Sequence, residues 1–178
     1  LLQRATLRIT DGGAGGGICG VGSNFTFGSF FSIARASAAV GVSMPSIVDV
    51  CETFPVTFTV SNTTPHLASN IAVTIPTTDA GFDYEYITGQ IPVYAGVFNA
   101  GNVVYSENGG VNPTFELTPS GDELTGNGSI TVQMRRLAGS GTGSSAIRAT
   151  VDYDDNENAP TTGTTEFQSS GSDSPFLV

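Results

Sequence analysis

The densest group of residues able to do chemistry lies near the end of the chain, at residues 152–158. Carboxylate and amide side chains recur there at every second position, which is the spacing of the first ligands in calcium-binding loops. The segment lacks the sixth-position glycine and the twelfth-position acid of an EF-hand. Two interpretations stay open, a calcium site or a solvated acidic turn at a strand end. The candidate calcium ligands are Asp152, Asp154, Asn156 and Asn158.

Residues suited to catalysis are few. His66 is the only histidine, so a Ser-His-Asp triad would have to use it, and no Gly-x-Ser-x-Gly elbow supports one. If the two cysteines are bridged to each other, the one histidine does not make the usual zinc site. Asp83 and Glu85 could pair as in sugar hydrolysis, but strand alternation places both on one face as ordinary edge patterning. The sequence therefore predicts a protein that is not an enzyme and requires no cofactor.

A glycan ligand is a further candidate, because several aromatic residues lie close together in the middle of the chain. The chain has no tryptophan, so a platform for stacking sugars would have to use tyrosines. Strand alternation places Tyr84 and Tyr86 on the face opposite the two carboxylates. The candidate platform residues are Tyr84, Tyr86, Tyr94 and Tyr105.

Cys19 and Cys51 are the only cysteines and allow one disulfide. In the chain-entropy model such a bridge contributes roughly 3–4 kcal/mol. The alternative is two buried free thiols, and the bridge is favoured because the rest of the composition looks extracellular. Three Asn-x-Ser/Thr sequons matter only if the host glycosylates them. Their acceptors are Asn24, Asn62 and Asn127.

Charge excludes several classes of partner. The 178 residues carry a net charge of −10, which argues against nucleic-acid binding, since that needs a basic face. All six cations are arginines and there is no lysine, which excludes Schiff-base chemistry and lysine-based cross-links. No apolar run approaches the ~18 residues of a membrane span. The chain opens without a basic segment and an apolar core, which is typical of an exported protein after removal of its signal.

The elements that must position these residues are strands. Apolar and polar residues alternate in many short runs, and turn residues such as Asn, Gly and Pro separate the runs. This pattern predicts an all-β, antiparallel sandwich or barrel; residues 32–39 are ambiguous between strand and loop. The predicted strands are residues 3–10, 25–33, 55–61, 70–76, 102–106, 114–118, 129–135, 145–153 and 163–168.

The first strand precedes a glycine run at residues 12–17, which behaves as a flexible tether. A strand on such a tether can pair within its own sheet or add to the open edge of a neighbouring subunit. In the second case the contact is head-to-tail and gives filaments. The residues that would fill the neighbour's groove are Leu1, Ala5, Leu7 and Ile9.

Residues 45–165 resemble the DUF11-type conserved repeat domain. The resemblance rests on the strand at residues 55–62 with its Asn-Thr-Thr-Pro turn, the following strand at 68–76, the strand at 124–135 and the closing strand with its acidic end at 146–155. Thr64 stands where that family usually has glycine, and Ala146 where it usually has asparagine. The resemblance implies an immunoglobulin-like β-sandwich in a secreted surface protein.

The front of the chain resembles, over fewer residues, the spore-coat-U type pilin domains. Cys19, the Phe-Gly-Ser-Phe segment at 27–30 and the Val-Cys-Glu segment at 50–52 carry this similarity. It implies a disulfide and assembly by a donor strand. The expected organisation is an N-terminal strand at 1–11, a linker at 12–17, a sandwich at 18–170 and a tail at 171–178.

The sequence thus predicts a secreted structural subunit of an extracellular filament, sheath or surface layer. The subunit would assemble non-covalently with copies of itself by strand exchange. The alternative is a monomeric adhesin or carbohydrate-binding module, with calcium as an optional stabiliser.

Overall fold

The computed structural model describes residues 36–79, 81–117, 123–138, 143–144, 146–155, 167–173 and 175–177. All of these belong to one unit of the chain, Arg35–Val178. The predicted strands at 3–10 and 25–33 and the glycine linker lie outside the described residues.

The described residues form thirteen strands and one short 3-10 turn. The strands are β1 (Ala38–Ser43), β2 (Ile47–Val48), β3 (Thr53–Asn62), β4 (Ala68–Thr74), β5 (Tyr84–Tyr86), β6 (Val93–Gly96), β7 (Val103–Ser106), β8 (Thr114–Leu117), β9 (Gly128–Arg136), β10 (Gly143–Ser144), β11 (Ile147–Asp155), β12 (Phe167–Asp173) and β13 (Phe176–Leu177). The 3-10 turn, η1, is Asn108–Gly110. No helix among the described residues has the length and apolar character to cross a membrane.

Two antiparallel five-stranded sheets make the sandwich. Sheet I has the order β1-β3-β9-β5, and β6 also pairs with β9 beyond the end of β5. Sheet II has the order β12-β11-β4-β8-β7. The predicted all-β, immunoglobulin-like sandwich is therefore confirmed for the described part of the chain.

The core follows from strand alternation. In β3, Phe54, Val56, Phe58 and Val60 are at most 1% exposed, while the intervening residues point outward. The inward residues of β4, β9 and β11 meet them from both sheets, as alternation requires of a strand buried on one face. Burial of these apolar side chains is the main favourable term in folding.

Pro55 lies inside β3, although proline normally disrupts an interior strand. Its partner across the sheet is Gln133 of β9. The backbone N–H of Gln133 donates to the Gln90 side chain, and its C=O accepts from Gln90 Nε2 at 3.0 Å. Because both backbone groups of Gln133 point away from β3, the missing N–H of Pro55 removes no hydrogen bond there. On its other side, the pairing with β1 ends at Thr57.

Sheets I and II touch at one side through β1 and β12. A Cβ added to Gly171 of β12 would lie 2.0 Å from the carbonyl oxygen of Val40 in β1. Only glycine allows this approach of two backbones. The two strands therefore cover each other's edges.

The end of the described chain is held by a small third sheet. β13 pairs parallel to β2 and antiparallel to β10. Arg136, 1% exposed, donates from Nη1 to the carbonyl oxygen of Val48 in β2 at 3.0 Å. The sandwich boundary expected at residue 170 falls inside β12, and residues 176–177 of the expected tail are paired in a strand.

Candidate interaction surfaces

The sandwich has two edges that no described strand covers. One is β7 at the end of sheet II, and the other is formed by β5 and β6 along β9. An unpaired edge presents backbone N–H and C=O groups to any added strand. These edges are the places where a further strand could join.

The β5–β6 edge is interrupted between its two strands by Gln90. Its side chain donates to the carbonyl oxygens of Ile87 and Gln133 and accepts from the Gln133 N–H. The amide of Gln90 thus replaces the backbone of a neighbouring strand at this point. A long added strand cannot pair continuously along this edge.

The β7 edge is open except at its first residue, where the backbone N–H of Val103 donates to the Asn99 carbonyl oxygen at 3.1 Å. None of Val103, Val104, Tyr105 and Ser106 is charged or proline, and Val104 is 51% exposed. Natural edges are usually protected by charge, proline or a bulge. Among the described edges, β7 is the best suited to accept a strand.

Behind β7, a tyrosine pair connects the two sheets. Tyr86 of β5 and Tyr105 of β7 meet with their hydroxyl oxygens 2.7 Å apart. The Tyr105 ring stacks on Phe115 at a centroid distance of 4.8 Å, and its hydroxyl lies 3.5 Å from Glu107 Oε1. Burial raises the pKa of Tyr86 far above its usual value, and the hydrogen bond to Tyr105 raises it further. Burial also raises the pKa values of Tyr94 and Tyr105.

The tyrosines do not form an exposed platform for sugars. Tyr84 and Tyr86 are each 3% exposed, and Tyr84 packs edge-to-face on Phe54 and Phe82. Tyr94 and Tyr105 are half-buried. The hypothesis of an aromatic stacking surface built from these four residues is therefore wrong for Tyr84 and Tyr86.

The two acidic residues predicted on one face of β5, Asp83 and Glu85, make different contacts. Glu85 is exposed and forms an ion pair with Arg135 of β9. Asp83 precedes the strand, and its backbone C=O accepts from the Leu137 N–H at 2.9 Å. Glu85 thus has an electrostatic role in pairing β5 with β9.

Only two of the four predicted calcium ligands of the acidic segment lie among the described residues. Asp152 accepts from Gln168 of β12 at 2.7 Å, whereas Asp154, 1% exposed, accepts from Asn70 of β4 at 2.6 Å. A register shift lies between them, so they lean toward opposite neighbours of β11. Asn156 and Asn158 lie outside the described residues. Within the described ranges, no three His, Cys, Asp or Glu side chains group as a metal site, and calcium binding stays a prediction.

Cys51 lies in the turn before β3, is exposed with φ of 60° and forms no disulfide with another described residue. The alternative of two buried thiols is therefore wrong for Cys51. Its predicted partner Cys19 lies outside the described residues, so the disulfide stays a prediction. The strand-exchange residues lie outside them too: Leu1, Ala5, Leu7 and Ile9.

Asn62, a sequon acceptor, is used to build a turn. Its Nδ2 donates to the carbonyl oxygen of His66 at 2.8 Å, and its Oδ1 accepts from the Thr64 N–H at 3.1 Å. This is the local bonding by which asparagine stabilises turns. Asn127 is exposed just before β9, and Asn24 lies outside the described residues. Glycosylation at these sites stays a prediction.

Comparison with known proteins adds evidence on the fold. The chain is similar to two crystal structures of BcpA, the major pilin subunit of Bacillus cereus, with TM-scores of 0.55 and 0.51 and identities of 9% and 10%. The matches cover 81% and 80% of this chain and 40% of each pilin chain, so the chain spans less than half of that protein.

A cohesin module from a Clostridium perfringens family 33 glycoside hydrolase also matches. Its TM-score is 0.48 at 12% identity, over 81% of this chain and 98% of the module. No protein-family model matches the sequence, and no curated protein does either.

Proposed function

We propose that this protein is a secreted, non-enzymatic structural subunit that assembles with copies of itself into an extracellular filament, sheath or surface layer. The observation that carries the proposal is the uncharged, largely open edge of β7, in a chain whose alternating residues 3–10 are predicted as a strand before a glycine run. Residues 1–9 of one subunit add to β7 of the next. The similarity of the fold to a major pilin subunit supports the proposal.

Assembly by this route is non-covalent, because the chain has no lysine to form an amide cross-link. The donor strand contributes backbone hydrogen bonds along β7, and its apolar side chains supply the specificity. The exposed side chain of Val104 offers a first apolar contact beside the edge.

Electron microscopy of the purified full chain tests the proposal. We expect filaments in the unmodified protein and none in a Leu7→Asp, Ile9→Asp variant, whose apolar face is lost. Thr6→Asp, Thr10→Asp is the matched control, because it adds the same charge to the opposite face of the same segment. Monodisperse monomers in all three samples, or equal loss of filaments in both variants, would contradict strand exchange.

Amide hydrogen exchange locates the acceptor edge. A synthetic peptide of residues 1–10, added to the non-assembling Leu7→Asp, Ile9→Asp protein, should slow exchange at residues 103–106. A peptide of the same composition in scrambled order should not. Slower exchange at β5 and β6 instead would place the acceptor at the other edge.

A monomeric glycan-binding module is the alternative. The burial of Tyr84 and Tyr86 removes two of the four tyrosines that could have formed its stacking surface. Glycan binding by a protein that stays monomeric at all concentrations would favour it over the filament.

A further inference from the structure

Part of the outer face of sheet I carries no charge across four strands. Every residue of 39–43, 55–61, 93–95 and 129–133 is uncharged, and their outward side chains lie in register across β1, β3, β9 and β6. We call the outward side chains of these four ranges the neutral face. One row across it is Gly41, Thr59, Ser129 and Ala95.

Small side chains make the neutral face flat. Beside the first row, Thr57 and Thr131 hydrogen-bond through their hydroxyls at 2.8 Å. Val93, 65% exposed, lies at the border of the face. At one end the face stops at the ion pair of Arg135 with Glu85, whose charges offset each other.

The outer face of sheet II also carries a row of hydroxyl groups, but unlike the neutral face it carries charged side chains. Thr150, Thr74 and Thr114 form a similar row across β11, β4 and β8. Arg148 and Glu116 also point outward from this sheet and are exposed. The neutral face is therefore not a general consequence of threonine-rich strands.

Charge limits what can pack on such a face. The chain carries −10, so two copies repel each other wherever their acidic surfaces approach. Repulsion is weakest where neither surface is charged, and the centres of protein interfaces are depleted of charged residues. A flat, uncharged face is also its own complement, since two sheets can pack face to face about 10 Å apart.

We infer that the neutral face is the surface on which the domain packs against a second copy of itself, sheet against sheet. The inference rests on the proposed function in taking the partner to be another copy, held nearby in an assembly. Four strands about 4.8 Å apart make a face smaller than the roughly 800 Å² per partner of a standard interface. The contact is therefore weak between free subunits and becomes effective where an assembly already holds copies side by side.

Sedimentation equilibrium tests the inference on the full chain carrying Leu7→Asp and Ile9→Asp, which removes strand exchange from the measurement. We expect reversible self-association that tightens with salt, because the Debye length falls from about 30 Å at 0.01 M to about 8 Å at 0.15 M. Thr59→Glu with Ser129→Glu should weaken association at least tenfold.

The control pair is Thr74→Glu with Thr114→Glu. These residues are also cross-strand partners at the centre of a sheet, so the pair adds the same charge with the same local repulsion. We expect association within twofold of the parent. Equal weakening by both pairs, or no association at millimolar concentration, would overturn the inference.

A pair of lysine substitutions distinguishes the effect of placing charge on the neutral face from the effect of the net charge of the molecule. Thr59→Lys with Ser129→Lys makes the molecule less acidic, so it should strengthen association if net charge alone governs it. We expect it to weaken association as the glutamates do. Glycan binding by the monomer that only the neutral-face variants lose would also overturn the inference and assign the face to a sugar.

Discussion

Tyr86 and Tyr105 show how much depends on single side chains in this sandwich. Their hydroxyls meet 2.7 Å apart between sheets I and II, and Tyr86 is almost fully buried. A buried hydroxyl must keep a hydrogen-bond partner, because leaving it unsatisfied costs more than the bond itself contributes. The pair therefore fixes the position of β7, the proposed acceptor edge.

We predict that Tyr105→Phe lowers the free energy of unfolding more than Tyr86→Phe does. Tyr105→Phe removes the partner of a buried hydroxyl, at a cost of about 1–3 kcal/mol. Tyr86→Phe leaves the Tyr105 hydroxyl half-exposed and close to Glu107. Urea unfolding of both variants and of the double variant measures this. Equal losses in the two single variants would contradict the prediction.

The same pair predicts a pH dependence. The folded-state pKa of Tyr86 lies above its ordinary value of 10.0, so the unfolded chain loses the proton first as the pH rises. The stability that this tyrosine contributes is therefore constant below pH 10 and is lost as the pH rises above it. We expect the urea midpoint of the unmodified protein to fall more steeply between pH 9 and 11 than that of Tyr86→Phe. Parallel curves would show that Tyr86 does not titrate differently in the two states.

At the scale of elements, the contact of β1 with β12 depends on one glycine. We predict that Gly171→Ala lowers the free energy of unfolding by about 1–3 kcal/mol, the usual cost of overpacking, because its Cβ would lie 2.0 Å from the Val40 carbonyl oxygen. Gly41→Ala is the control, since a Cβ there lies 3.9 Å from its nearest neighbour. Thermal unfolding measures both, and a stable Gly171→Ala would mean that the strands separate at little cost.

How well each strand could be predicted depends on how much of it is buried. β3 and β9 were predicted because their inward residues alternate without a break. β12 was expected at 163–168, but it is an edge strand of Phe, Gln, Ser, Gly and Asp with no apolar alternation. β2, β5, β6, β10 and β13 have two to four residues each, too few for a period to show.

The candidate surfaces were less predictable than the fold. An edge is open or covered according to which strands pair, and alternation within one strand carries no information on its neighbours. The hydrogen bonds of the Gln90 side chain to Gln133 and of Tyr86 to Tyr105 join residues far apart in the sequence. The opposite faces of Asp83 and Tyr84 were predicted, but not the ion pair of Glu85 with Arg135.

At the scale of the whole molecule, the predicted disulfide between Cys19 and Cys51 can be tested in solution. We predict that the native protein contains no reactive thiol and that reduction lowers the free energy of unfolding by about 3–4 kcal/mol. Thiol titration in native and denaturing buffer, followed by urea unfolding with and without reductant, checks this. Because Cys51 is exposed, rapid reaction of a native thiol would show that it is unpaired.

The placement of the aromatic residues also determines what light can report. The chain has no tryptophan and five tyrosines, and all five lie within the described sandwich: Tyr84, Tyr86, Tyr94, Tyr105 and Tyr153. Tyrosine fluorescence of the unlabelled protein therefore arises only from the sandwich. The first 35 residues contain phenylalanine but no tyrosine. Tyrosine emission therefore reports the separation of the two sheets on unfolding, and it does not report directly on the segment proposed to exchange.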